Sequence, residues 1–275
     1  MKGFSIVVLS VKRGWVGFIG QSMMASIALA GVISIQLDRL KQPSISLETP
    51  RQAEQQERLR LNFLSRMPTF GFDNLMADWT FLNFIQYYGD IPAREATGFS
   101  LGSQYFDLIT RHDPRFVESY IFLSGTVSHQ LGEPELALEL MKRGTDVLSP
   151  QVHPRAFSVW RWKAMDQILL LGDLPGAARS FEMTANWAAQ SEEYKQFAPN
   201  FRQTAAFLRT NPDIGWVRFQ AWSSVYEDAG AAGDQRTRDR AKRELLKLGA
   251  IERQNEKGET VFIAPEKLQQ PKPRQ

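Results

Sequence analysis

Apolar residues follow three regimes along this chain. From Trp15 to Leu37 they run with no charge among them. From about residue 49 to 248 they return at three- and four-residue spacing. Around Gly258 they alternate over a few positions, with Val261, Phe262 and Ile263 together in one short run. The first regime predicts a membrane helix, the second a set of packed helices, and the third a small hairpin over 250–264.

The uncharged segment would reach roughly 34 Å as a helix, at ~1.5 Å per residue, enough to cross a hydrocarbon core. Lys12 and Arg13 stand directly before it and Lys2 further upstream, while Asp38, Arg39 and Lys41 follow. That bias places the basic residues 1–14 in the cytoplasm and the bulk of the chain on the opposite side of the membrane. Ser22, Ser26, Ala30 and Ser34 recur every fourth residue, a small-residue ridge that lets another membrane helix approach. A cleaved signal peptide is the competing reading, because Ala28-Leu29-Ala30 precedes Gly31. Apolar sequence continues past that point through Val32, Ile33, Ile35 and Leu37, which favours an uncleaved anchor over 15–37.

Residues 38–48 read as a polar linker. Thr49, Pro50 and Gln52 then form a helix start, and a charged helix with Glu54 and Arg58 at i,i+4 follows to about Leu64. Its few apolar residues, Leu59, Phe63 and Leu64, put it on the surface of the domain. Asp73 is placed to cap a helix from Asn74 to about Tyr88. Leu75, Met76, Trp79, Leu82, Phe84, Ile85 and Tyr88 make that helix apolar nearly all round, so it is expected at the centre of the domain. Asp78 inside it is explained by a neighbouring arginine or helix N-terminus, or else by a partner contact.

An internal repeat begins near residue 113. Gly132, Ala137 and Met141 match Gly172, Ala177 and Phe181, each pair 40 residues apart. Each copy reads as a helix, a glycine stop with a proline just beyond it, and a second helix. The alanine allows two helices to approach and the larger residue one turn later fills the gap. A further helix pair is expected from Trp216 to Leu248 around Gly233-Asp234.

This pattern resembles the tetratricopeptide repeat (TPR). Asp113-Pro114-Arg115-Phe116-Val117-Glu118-Ser119-Tyr120 looks like the opening of its helix A, with Leu123 one turn on and Pro150 closing the unit. Trp79 and Leu82 fit helix A of a degenerate first copy with an enlarged turn near 89–100. Phe72-Asp73-Asn74-Leu75-Met76-Ala77-Asp78-Trp79, then Gln86-Tyr87-Tyr88-Gly89-Asp90, are similar to a group of bacterial, cyanobacterial-type, membrane-anchored TPR-like proteins. The resemblance implies an all-α fold, in which a transmembrane helix precedes a TPR-like α-solenoid over 49–248. A small element over 249–268 and a disordered tail over 269–275 complete the chain. It also implies a binding role. In such a solenoid the first helix of each pair lines the concave side. Tyr87, Glu118, His129, Trp162 and Asp166 are the residues expected there to hold a protein partner.

Composition narrows the chemistry. Cysteine is absent, which excludes disulfides, thiolate metal sites and a cysteine nucleophile. The three histidines, His112, His129 and His153, form no HExxH pair, and no metal or cofactor motif is present. Three of the 33 basic residues lie in 1–37, leaving 30 against 30 acids, so the high pI points to the membrane flank and away from nucleic acid. Arg236, Arg238, Arg240, Lys242 and Arg243 crowd one stretch, read as a solvated face with nearby acids or as a patch for an anionic partner. Gly98-Phe99-Ser100-Leu101-Gly102 satisfies GxSxG, but the preceding Ala93-Arg94-Glu95-Ala96 is helical where a nucleophile elbow needs a strand.

These readings converge on a non-enzymatic, membrane-anchored scaffold or assembly factor for a membrane complex, a photosynthetic one among the candidates. A structural component of polysaccharide or protein export machinery is the alternative. An uncleaved anchor predicts that mass spectrometry of the membrane-bound protein detects peptides N-terminal to Gly31; a mature N-terminus at Gly31 would mean cleavage.

Overall fold

The computed structural model describes residues 49–256 and 258–268. The segment 15–37 with its Ser22, Ser26, Ala30 and Ser34 ridge, the linker 38–48 and the tail 269–275 lie outside the described residues. Among the described residues no helix is long and apolar enough to cross a membrane.

From Pro50 onward the chain forms one compact helical unit. Its helices are α1 (Pro50–Leu64), α2 (Asp73–Gly89), α3 (Ile91–Thr97), α4 (Gly102–His112), α5 (Ser119–Leu123), α6 (Pro134–Val147), α7 (Phe157–Asp166), α8 (Leu174–Ala188), α9 (Ala198–Arg209), α10 (Gly215–Ala231) and α11 (Gln235–Lys247). Two antiparallel strands follow, β1 (Ile251–Gln254) and β2 (Thr260–Ile263), with Ile251 opposite Ile263 and Gln254 opposite Thr260. The expected hairpin around Gly258 is therefore present, and the rest of the unit is helical.

Both repeat copies fold as the sequence dictates. Gly132 and Gly172 take left-handed backbone angles, φ 59° and 71°, at corresponding turns. Ala137 and Ala177 are fully buried, and Met141 and Phe181 are buried one turn later. Asp173 caps α8 by accepting a hydrogen bond from the Gly176 N–H at 2.9 Å. Tyr120 is fully buried, its hydroxyl donating to the Pro114 carbonyl at 2.8 Å. Its ring fits because Gly144 faces it; a Cβ there would come within 2.4 Å of the Tyr120 oxygen.

Both first helices widen before the glycine. α5 continues as a π-helical stretch over Ser124–Gln130 and α7 over Gln167–Leu171. The Leu131 N–H reaches the Thr126 carbonyl at 3.0 Å, five residues back, so the widened turn holds one residue more than an α-turn.

The N-terminal layer departs from expectation in two ways. α2 is not central. Ala77, Thr80, Phe84 and Tyr87 face the core, while Leu75, Trp79 and Leu82 are exposed, so the Trp79 and Leu82 placement in a packed first copy is corrected. The physical reason is that α2 packs against α4 on one side and nothing in the described unit covers the other. Asp73 opens α2 without a side-chain cap; its carboxylate accepts instead from Thr69 Oγ1 and lies 2.9 Å from His112 Nδ1. That contact with His112 holds the Asp73 carboxyl below its ordinary range. The enlarged turn near 89–100 contains the short helix α3.

The last helix pair is present but does not extend the stack. Instead α10 crosses the turn edge of the preceding layers. Arg218 packs on Gly172, Trp222 and Val225 on Gly132, and Ala232, just beyond the end of α10, on Gly98. Trp222 is 1% exposed and its Nε1–H donates to the Leu170 carbonyl at 3.0 Å, with Arg218 Nη2 donating to the same oxygen at 3.3 Å. Thr237 of α11 donates to the Leu131 carbonyl at 3.2 Å.

Trp222→Ala should cost about 3–5 kcal/mol, a core aromatic deletion. Trp222→Phe should cost only ~1 kcal/mol for the lost indole hydrogen bond. Urea unfolding followed by circular dichroism measures both, and near-equal losses would contradict the placement of the indole.

Candidate functional site

Of the five residues expected on one concave face, Tyr87 and Asp166 are buried, which corrects their placement there. Tyr87 is 8% exposed, under the Arg94 guanidinium at 3.6 Å from its ring centroid. Its hydroxyl accepts from the Leu101 N–H at 3.2 Å, and burial pushes its pKa up to about 12. Trp162 is partly buried against the main core, with Arg161 5.1 Å from its ring. Glu118 is half-buried and already engaged by Arg155, with His153 Nε2 at 3.7 Å. The structure does bring two of the five together: His129 Nε2 lies 3.5 Å from Asp166 Oδ1.

Asp166 is fully buried, which makes it an internal group and not a docking contact. Its two oxygens accept from Ser124 Oγ at 2.7 Å and Ser128 Oγ at 2.5 Å, both in the widened end of α5. Two hydroxyl donors and a half-buried histidine offset the desolvation of a carboxylate. The cluster ties α5 to α7 across the layers. His129 also lies near Asp228 of α10, whose carboxyl is raised by burial and lowered in part by Ser224 and His129.

Ser100 of the GxSxG segment sits in the turn between α3 and α4, after Gly98 at φ 63°. It donates to Glu54 Oε1 at 2.5 Å and accepts from Arg58 Nη2 at 3.1 Å. Its hydrogen bonds thus tie the turn to α1, where the expected Glu54–Arg58 ion pair is present at 3.2 Å. Among the described residues no strand precedes it, so the geometry of a nucleophile elbow is not formed there.

The basic stretch on α11 is spent largely on neighbours. Arg236 pairs with Glu133 at 2.9 Å, Arg240 with Glu135, and Lys242 with Glu252 at 2.7 Å, while Arg238 lies 4.7 Å from the Tyr226 ring centroid. These pairs hold α11 to α6 and β1.

Two open features survive this accounting. One is a groove of about 710 Å³ between α1, the α3–α4 turn and the start of α11, lined by Arg51, Glu54, Arg58, Glu133, Asp234 and Arg236 among others. Its cations and carboxylates are interleaved. The other is the exposed apolar ridge of α2, which pattern reading missed because it assigned every apolar position of that helix to a core. Among the described residues no group of histidines and carboxylates is arranged to hold a metal ion.

Asp166→Ala should destabilise the fold by about 2–4 kcal/mol, since Ser124 and Ser128 lose their buried acceptor. Asp166→Asn keeps one acceptor oxygen and should cost less, ~1 kcal/mol. Chemical denaturation of both variants tests the cluster; an unchanged Asp166→Ala midpoint would refute it.

No protein-family model matches the chain, and no curated protein matches it either.

Proposed function

We propose that this chain is a membrane-anchored, TPR-like scaffold that holds a protein partner of a membrane complex, with the helical domain on the far side of the bilayer from residues 1–14. The observation that carries this reading is the recurring unit itself. Gly132 and Gly172 turn the chain at equivalent points, and the Ala137–Met141 and Ala177–Phe181 pairs pack in equivalent places. Stacked units of this kind build extended surfaces suited to polypeptides.

The groove between α1 and α11 is the surface we assign to the partner. Arg51 and Arg236 are exposed among its lining residues, where Arg236 pairs with Glu133 and Arg58 with Glu54. Charged groups of both signs in one groove suit the polar backbone and side chains of a peptide. This assignment replaces the concave-face set, of which Tyr87 and Asp166 are buried.

Exposed ion pairs contribute little to folding, so Arg51→Glu with Arg236→Glu should leave stability within about 1 kcal/mol. The tagged full chain, purified from membranes in mild detergent, should carry a partner polypeptide that the double variant loses several-fold. Recovery of the unaltered protein alone, or equal partner recovery by both, would refute the groove assignment.

A further inference from the structure

We infer that α2 lies on the bilayer surface, with its exposed ridge set into the boundary between headgroups and acyl chains. The inference rests on the membrane-anchor reading of residues 15–37 and adds a second, peripheral contact to it.

The ridge is built by helical spacing. Phe72, Leu75, Trp79, Leu82 and Ile85 follow one another at three or four residues, on the side opposite Ala77, Thr80, Phe84 and Tyr87. Leu75, Trp79 and Leu82 are each more than half exposed. The preceding turn adds Phe70, at 84% exposure. Phe70 and Gly71 both take positive φ, 51° and 88°, so the backbone there holds a phenylalanine in solvent at a conformational cost. Asp78 and Gln86, also exposed, stand within the same side at i+3 from Leu75 and i+4 from Leu82, so the ridge carries polar groups suited to the headgroup level among its apolar ones.

Three features point to lipid as the occupant. The first is connectivity. Eleven linker residues, 38–48, separate the predicted anchor from Thr49 and span at most ~40 Å when extended. That length bounds the distance of Thr49, where the unit carrying the ridge begins, from any bilayer the anchor crosses, and so raises the effective concentration of lipid around the unit. The second is shape: the ridge is a single helix side, not a groove, and an interfacial helix inserts such a side to a depth of ~5–10 Å. The third is composition. Tryptophan and phenylalanine with leucine suit the interface, whereas α2 contains no lysine or arginine. Binding is therefore driven by apolar burial and should not need anionic lipid.

The native chain has no cysteine, so single labels can be placed cleanly. Leu75→Cys, Leu82→Cys, Ser26→Cys and Phe207→Cys each receive a nitroxide in the full chain. Phe207 serves as the control, being exposed on α9. The proteins are reconstituted in zwitterionic phosphatidylcholine vesicles, and collisions with oxygen and with a water-soluble nickel chelate are measured by electron paramagnetic resonance. Labels at 75 and 82 should show oxygen-to-nickel ratios several-fold above that at 207 and of the same sense as at 26. Ratios at both ridge sites equal to that at 207 would overturn the inference while leaving the anchor in place. Shielding of both ridge sites from both reagents would mean cover by a protein or a second copy, and would overturn it equally. Nickel access at 26 would remove the anchor, and the inference with it. Circular dichroism of each labelled chain confirms that the helices are intact.

Discussion

One carbonyl oxygen organises the C-terminal half of this fold. Leu170 lies in the widened part of α7, where the Leu174 N–H turns to the Gly172 carbonyl instead, and Trp222 and Arg218 of α10 both donate to the Leu170 oxygen. A buried peptide oxygen left without a donor would be costly, so the two helices are held in one register. From that fixed point α10 runs along the turns at Gly172, Gly132 and Gly98 in reverse chain order. Gly132 and Gly172 serve twice. Their positive φ ends each helix, and the missing Cβ allows another helix to approach the turn. At Gly172 an added Cβ would meet the Arg218 guanidinium at 2.8 Å.

The widened helix ends and the buried carboxylate belong to the same solution. Expanding the end of α5 brings Ser124 and Ser128 to the two oxygens of Asp166. Thr126 and Asp166 stand 40 residues apart, at corresponding points of successive copies. The polar group that one copy carries is thus answered by hydroxyls of the copy before it. Such a contact specifies which helix neighbours which, a task that aliphatic packing performs less selectively.

Much of this architecture was legible in the sequence because helix stops have strong local chemistry. Glycine followed closely by proline marked the turns at 132 and 172, and the alanine after each marked the close approach. The Gly233-Asp234 turn was read from its glycine, and Asp234 there accepts a hydrogen bond from the Thr237 N–H. What sequence periodicity could not supply was destination. Phe219, Trp222, Val225, Tyr226 and Ala229 give α10 a clear buried face, yet an added layer and a brace across the turns demand the same face. α2 failed for the opposite reason: with apolar residues on every side it had no phase to read. The placement of Tyr87 on an open face went with it, since Tyr87 is on the side that α2 buries. Asp166 carried a signal that went unread, a lone acid in phase with Thr126 of the preceding copy.

The brace has a consequence for how the protein is made. In an open stack each unit touches only its neighbours, and folding can advance one unit at a time. Here the contacts of Trp222 and Thr237 reach back 52 and 106 residues. During synthesis the earlier helices leave the ribosome with their turn edge bare, and the Leu170 oxygen waits for a donor that has not yet been translated. The array can form early, but it becomes rigid late, in a single step when residues 215–247 close over it.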